Sequence, residues 1–381
     1  MEQRRFPGNS HWYHETQTSL PAQRSALVPE AAEITDRFLL GLTQQAEGEL
    51  KAILQHAQPL HLASRDLYQL LFPNQLSTSL THTLTLYDRI STALTVAQVT
   101  GIQRLCNHYA ARLNPLPGPD SSRESNRRLT QITEYARQLA GQPTLIDSAA
   151  LQRLDEVGLT VPDIISFSQT IGFVSYQARV VAGIHALMAL PVRWMPGVSV
   201  PPDAAALPAG EWQPALTPLE PRYAAADQLE ALTFCLPLIQ PEPFVWLLAQ
   251  DGDVLNGWGH LLSALEKQHA SDDTALAAAV AARINGSSRC FARYPAGELR
   301  DALRENVDRA LSIASERQKA IILLASQLTR VPDRFSAAHV QPLREVGLST
   351  AGIFDVILSV AAAGWSNRLM QSLGTIGLDN H

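Results

Sequence analysis

Cys290 stands in the run Ser287-Ser288-Arg289-Cys290-Phe291-Ala292-Arg293-Tyr294. On a helix, residues three before and four after a given position share its face. Ser287 and Tyr294 could therefore hydrogen-bond the Cys290 thiolate or an oxygen that it attacks. Arg289 and Arg293 add positive potential, which favours the thiolate over the thiol. Such a set supports one-cysteine redox chemistry, with Cys290 as nucleophile and Ser287 and Tyr294 as its catalytic partners. No cysteine lies three residues away to resolve a sulfenic acid, so an outside thiol would have to do it. The competing reading is structural, because a lone cysteine in a helical protein commonly serves as a small buried hydrophobe.

The same stretch occurs earlier in the chain. Thr100-Gly101-Ile102-Gln103-Arg104-Leu105-Cys106-Asn107-His108-Tyr109 precedes its counterpart, Asn285 to Tyr294, by 185 residues. Each follows an Ala-rich helical segment, 90–99 or 275–284. Further along, Leu154-Asp155-Glu156-Val157-Gly158-Leu159-Thr160 recurs as Leu343-Arg344-Glu345-Val346-Gly347-Leu348-Ser349, now at an offset of 189. That offset also places Ala136-Arg137-Gln138-Leu139 on Ala325-Ser326-Gln327-Leu328, Pro143 on Pro332 and Arg179 on Arg368. A match held in one register over this distance points to one supersecondary unit used twice. The punctuation within each unit is helical. Asp147 and Thr160 are N-cap residues, Pro162 belongs to a first turn, and Gly158 belongs at a left-handed C-cap. Gly347 and Ser349 repeat the plan. Ile164, Ile171, Val174, Ala178 and Val181 then give one apolar helical face, as do Ile353, Val356, Ile357 and Val360. No run alternates in the manner of a strand, so the expected class is all-α, a tandem duplication of one helical bundle.

These elements resemble the AhpD-like alkylhydroperoxidase and carboxymuconolactone decarboxylase superfamily, in its two-domain, peroxidase-related branch. Members carry an Ala-rich helix, then Gly-Cys-x-x-Cys-x-x-x-His, and a later helix with an Asn-Arg-Leu or Asn-Arg-Val element. Here that element is Ser366-Asn367-Arg368-Leu369, with the weaker Gln177-Ala178-Arg179-Val180 in the first copy. The resemblance implies a dithiol that reduces hydroperoxides, a histidine proton relay and assembly into a homo-oligomer. The chain departs from the motif. The cysteine and histidine positions hold Ser287, Cys290 and Tyr294 in the second copy, and Ile102, Leu105 and Tyr109 in the first. The family's glutamate position falls near Ala275. Cys106 and His108 sit one residue off the expected face, a rotation of about 100°.

Two functions follow. One is a one-cysteine thiol oxidoreductase that reduces a small hydroperoxide through Cys290, with an external thiol as reductant. The alternative is a catalytically inactive AhpD-like scaffold that binds a small molecule or a protein partner, with Arg104, Tyr109 and Arg289 in the ligand cleft. A third reading, acid–base chemistry at His108 or His185, has less to support it. Arg104, Arg289, Arg179 and Arg368 also admit a plain role, bridging helices or capping carbonyls.

Composition narrows the field. The 381 residues are 46% hydrophobic and 17% charged, enough apolar material for a core in each half. A net charge of −6 argues against a nucleic-acid surface. No run approaches the roughly 20 apolar residues of a membrane span, and the N-terminal residues lack the apolar stretch of a secretory signal. Three cysteines without a CxxC pair exclude a disulfide framework and a structural zinc site, and fit the cytoplasm. No cofactor and no metal are called for. His11-Trp12-Tyr13-His14-Glu15 could place two histidines on one metal, or its aromatics could pin the N-terminal segment to the body. The expected organisation is a tail over 1–31, a first domain over 32–190, a connector over 191–224 and a second domain over 225–381. Eight of the 24 prolines fall between 191 and 221, which predicts an extended connector with Trp194 and Trp212 packed on the body.

Overall fold

Thr85, Ser122, Asp147 and Thr160 each present a side-chain oxygen to the amide three residues on, and a helix begins after each. The computed structural model describes residues 36–193 and 200–377. The His11–Glu15 cluster, the tail over 1–31 and Trp194 lie outside the described residues. The first half holds α1 Leu42–Gln45, α2 Gly48–His56, α3 Gln58–Leu71, α4 Leu86–Thr100, α5 Gln103–Leu113 and α6 Arg123–Gly141. A 3-10 turn, Pro143–Leu145, leads into α7 Ser148–Glu156 and the long α8 Val161–Leu187. The second half holds α9 Ala226–Cys235, α10 Glu242–Leu248, α11 Gly252–His269, α12 Asp272–Asn285 and the single turn α13 Ser288–Phe291. It continues through α14 Glu298–Glu305, α15 Val307–Ile313 and α16 Glu316–Arg330. A second 3-10 turn, Pro332–Arg334, then precedes α17 Ala337–Glu345 and α18 Thr350–Ser372.

The all-α class holds, with one small exception that the sequence did not announce. Strands β1 Trp212–Pro214 and β2 Gly374–Ile376 pair antiparallel, with Trp212 opposite Ile376. Three residues are too few to show alternation, and the pair serves to tie the connector to the end of α18.

Local structure repeats along the chain. The two 3-10 turns, and α7 and α17, keep the 189-residue offset at both ends. Gly158 and Gly347 are left-handed at φ 85° and 86°. Gly101 and Gly286, which end α4 and α12, are left-handed at φ 71° and 79°. Between α5 and α6 there is only a loop, whereas α14 and α15 occupy the corresponding place in the second half. With α13 shorter than α5, the second half is longer here by a net four residues, which is the change of offset from 185 to 189.

The core is built around α8 and α18. Nearly every side chain of α8 is buried, polar ones included, as befits a helix apolar on all sides. The two helices approach closely where glycines remove side chains. A methyl group on Gly172 would overlap the Trp365 indole, and one on Gly183 would overlap Ile357. Trp365 Nε1 donates to Gln169 Oε1 at 2.9 Å across the same interface. The buried apolar residues of both halves join into one cluster. Among the described residues, no single helix is long and apolar enough to cross a membrane.

Candidate functional site

In each half an Ala-rich helix ends at a left-handed glycine and the chain turns at once into the next helix. Glycine is needed there because the backbone is left-handed and a neighbour crowds the Cα: Asp333 at Gly101, and Thr144 with Ala204 at Gly286. The following residues occupy the motif positions.

In the first half those positions belong to the core. Ile102 and Leu105 are buried. Tyr109 is fully buried, and its hydroxyl donates to Gln177 Oε1 at 2.6 Å. The Gln177 amide in turn donates to the carbonyls of Arg37 and Phe38, at 3.0 and 2.8 Å. Burial pushes the Tyr109 pKa well above its ordinary value. Burial also lifts the Cys106 thiol to about 11. His108 is buried beside Tyr68, whose hydroxyl lies 2.7 Å from its Nε2. Arg112 Nη1 donates to that hydroxyl at 2.7 Å. Burial, then Arg112 and Arg37, lower the His108 pKa to about 3. It is a neutral core histidine, poorly placed to relay protons near neutral pH.

In the second half the helix is cut short. The expectation that Tyr294 shares a helical face with Cys290 is not met, because α13 ends at Phe291. Pro295 disfavours helical backbone in the residue before it, so the chain leaves the helix before reaching Tyr294. One turn also carries too little dipole to favour a thiolate. Cys290 itself is half-buried as a residue, and its sulfur is closely surrounded. Burial raises the thiol's pKa, against smaller opposing effects of Ser287, Arg293 and Arg289. Ser287 is buried, and its hydroxyl lies close enough to favour the thiolate without completing a hydrogen bond of good geometry. Arg289 is exposed. Tyr294 is half-buried, its pKa raised by burial and by Asp272. The structure thus brings Ser287, Arg289 and Cys290 together and sets Tyr294 beyond them.

Arg104 faces elsewhere. Its Nη1 donates to the Leu40 carbonyl at 2.9 Å, and its Nη2 reaches Gln45 Oε1 at 3.4 Å. It borders a cleft of about 180 Å³ between the halves. The walls come from the start of α5, the end of α8, residues 191–193 and the second 3-10 turn. Ile102, Val181, Ala182 and Phe335 supply apolar surface, His185 and Asp333 supply polar groups, and Gln103 and Arg193 line it as exposed residues. Tyr109 does not line it. Burial, then Arg104, lower the His185 pKa, while burial raises that of Asp333.

The second-half counterpart of this cleft is covered. By the repeat, Ser288 corresponds to Gln103, Met370 to Val181, Gly374 to His185 and Thr144 to Asp333. The connector runs over these residues as a strap. The Ala204 amide donates to the Ile284 carbonyl at 2.9 Å, and Arg283 Nη1 donates to the Ala204 carbonyl at 2.7 Å. Arg330 holds Asp203 with two bonds of 2.7 and 2.6 Å. Ser288 Oγ donates to the Pro208 carbonyl at 2.7 Å, and Trp212 Nε1 to the Met370 carbonyl at 2.9 Å. Ala204, Leu207 and Trp212 are buried by these contacts.

Sequence reasoning placed Trp212 on the body but missed the strap's target, and it missed Asp333. The offset that aligned Pro143 with Pro332 also aligns Thr144 with Asp333, so the signal was present one residue further on. Among protein-family models, curated proteins and solved structures, none matches the chain.

Proposed function

We propose that this chain is a peroxidase-related, AhpD-like protein, duplicated in tandem, that has given up dithiol chemistry and acts in the cytoplasm as a scaffold binding a small molecule. The observation that carries this reading is the state of Cys290. It stands on a single helical turn, and its thiol is raised in pKa where a peroxidatic thiol is lowered. The positions that the resemblance assigns to the thiols and the histidine of the first half hold Ile102, Leu105 and Tyr109, all buried, and those beside Cys290 in the second half hold Ser287 and Tyr294. The same proposal includes a homo-oligomer of this chain.

The test is the reaction of Cys290 with a chromogenic disulfide reagent as a function of pH. It is paired with turnover of cumene hydroperoxide under dithiothreitol. The Cys106→Ser, Cys235→Ser background isolates the thiol. The expected result is an apparent pKa at or above the free value of about 8.5, with no turnover beyond that of Cys290→Ser. A markedly lower pKa, with turnover that Cys290→Ser abolishes, overturns the proposal.

A second reading has a specific basis in Ser287, Arg289 and Arg293, which all act to favour the thiolate. In it the Cys290 thiolate attacks the terminal oxygen of a hydroperoxide, the O–O bond breaks, and the leaving alkoxide takes a proton from water to depart as the alcohol while the sulfur becomes the sulfenic acid. Two equivalents of an external thiol then return the cysteine, with water and a disulfide as products.

A further inference from the structure

The geometry points to the first-half cleft, and not to the surroundings of Cys290, as a ligand site, with a small, uncharged, mainly apolar molecule bearing a single hydrogen-bonding group as its ligand. This deepens the scaffold reading and rests on it.

Size comes first. A cleft of about 180 Å³ is smaller than typical drug-sized pockets of about 300 Å³ and upward, so the ligand is a small one. Its surface is mostly apolar, from Ile102, Val181, Ala182 and Phe335, with Pro191 and Pro332 at the edge. Such a wall rewards apolar surface removed from water and penalises a charge that loses hydration.

The polar groups fit the same ligand. Arg104 is engaged by the Leu40 carbonyl and by Gln45, which fix its side chain as wall. His185 is held toward its neutral form, able to donate through one nitrogen and accept through the other. Asp333 lines the cleft from the turn after α16, while Arg193 is exposed at its edge and keeps its charge in water. A hydroxyl or an N–H on the ligand can be read by His185 and Asp333 without a change in charge.

The second half supplies an internal template. What fills the equivalent place there is mainly apolar, the Ala204 methyl against Gly286 and the Trp212 ring against Gly374, with the indole N–H bonded to a carbonyl and Asp203 of the same strap held by Arg330. An indole thus occupies the occluded member of the pair, and the open member lacks any such strap among the described residues.

Indole and phenol serve as neutral probes, with benzoate and benzylamine as charged counterparts, in calorimetric titration of the full chain. Indole or phenol is expected to bind once per chain, at least about tenfold tighter than either charged probe. Gln103 is exposed at the rim, so Gln103→Trp caps the cleft without disturbing the core and should weaken binding by about tenfold or more. His185→Phe fills the cleft from its wall and should do the same, while Cys290→Ser should change nothing. Equal binding of the charged probes, binding that survives both filling variants, or no binding of either neutral probe overturns the inference. A reactive Cys290 would instead defeat the scaffold reading while leaving the titration at this cleft as measured, so the two failures are distinct.

Discussion

Arg179 and Arg368 make the same two hydrogen bonds at positions 189 residues apart. Arg179 Nη1 donates to the Ser175 carbonyl on its own helix at 2.9 Å, and its Nη2 donates to the Thr329 carbonyl in the other half at 2.7 Å. Arg368 Nη1 donates to the Gly364 carbonyl at 2.8 Å, and its Nη2 to the Ala140 carbonyl at 2.6 Å. All four acceptors obey the same offset. The arginines therefore pin α8 to the end of α16 and α18 to the end of α6, and each crosses to the opposite half. Both are buried, and burial lowers both pKa values, that of Arg179 to about 10 and that of Arg368 well below its ordinary value, with Arg179 adding repulsion there.

Replacing either arginine with Met removes two charge-assisted hydrogen bonds and strands one buried carbonyl in the other half, that of Thr329 or of Ala140, but it also removes the repulsion between the two. We expect each single variant to lose about 2–4 kcal/mol of stability. The double variant should lose more than the two together, because the repulsion is relieved in each single variant but only once in the double. Urea unfolding of the four proteins measures the cycle. Strict additivity would mean that the two guanidinium groups do not sense one another.

The crossing of α8 and α18 makes a second prediction. Gly172→Ala puts a methyl group into the Trp365 indole and should cost about 1–3 kcal/mol, because a packed core yields only by shifting rings or backbone. Gly352, near the start of α18, has only ordinary contact in the space a methyl would take. Gly352→Ala should therefore gain up to about 1 kcal/mol from the lower entropy of the unfolded chain. Opposite signs in thermal unfolding identify the crossing, and not helix propensity, as the cause.

Acid should weaken the fold through two buried histidines. Burial lowers the His61 pKa to about 4, with Arg65 and His269 adding to the shift and Asp36 and a hydrogen bond to Leu54 opposing it. His108 is lowered to about 3. The unfolded chain takes up these protons near pH 6.5 and the folded chain does not. Their contribution is thus complete above pH 6.5 and is lost as pH falls toward 4 for His61 and 3 for His108. Within those windows each should give a slope of about 1.4 kcal/mol per pH unit. His61→Gln should flatten the pH dependence of urea stability between pH 6.5 and 4, and an unchanged slope would show that His61 is already protonated in the fold.

Much of the scaffold was legible because capping chemistry is local. Asp147, Thr160 and Ser349 accept amide bonds at helix starts, and Gly158 and Gly347 take left-handed backbone, as their residue types require. The arginines at 179 and 368 recurred because the fold needs them, and they cap carbonyls. The site was less legible because it depends on where helices stop and on what covers them. Pro295 ends α13 before Tyr294, a local effect that the comparison with α5 concealed. The strap's docking on Ser288 and Met370 is a long-range contact of a proline-rich segment, whose residues show neither helical nor alternating periodicity to mark the buried side.

That strap gives the last prediction. Trp212 packs its indole against Gly374, where any side chain would overlap it, and bonds the Met370 carbonyl. Trp212→Phe keeps most of the ring surface but leaves that carbonyl without its donor, and should cost about 1–3 kcal/mol. Trp212→Ala also empties the site and should cost about 3–5 kcal/mol. Because Ser288 holds the same strap through the Pro208 carbonyl, loosening it bares the turn that carries Cys290. The reaction of Cys290 with a disulfide reagent should therefore quicken in the order wild type, Trp212→Phe, Trp212→Ala, under conditions where all three remain folded. Cys235, buried against Leu255 in the packing of α9 and α11, should not follow that order. Equal acceleration at both thiols would signal global unfolding, and the strap would then have no separate hold on the Cys290 turn.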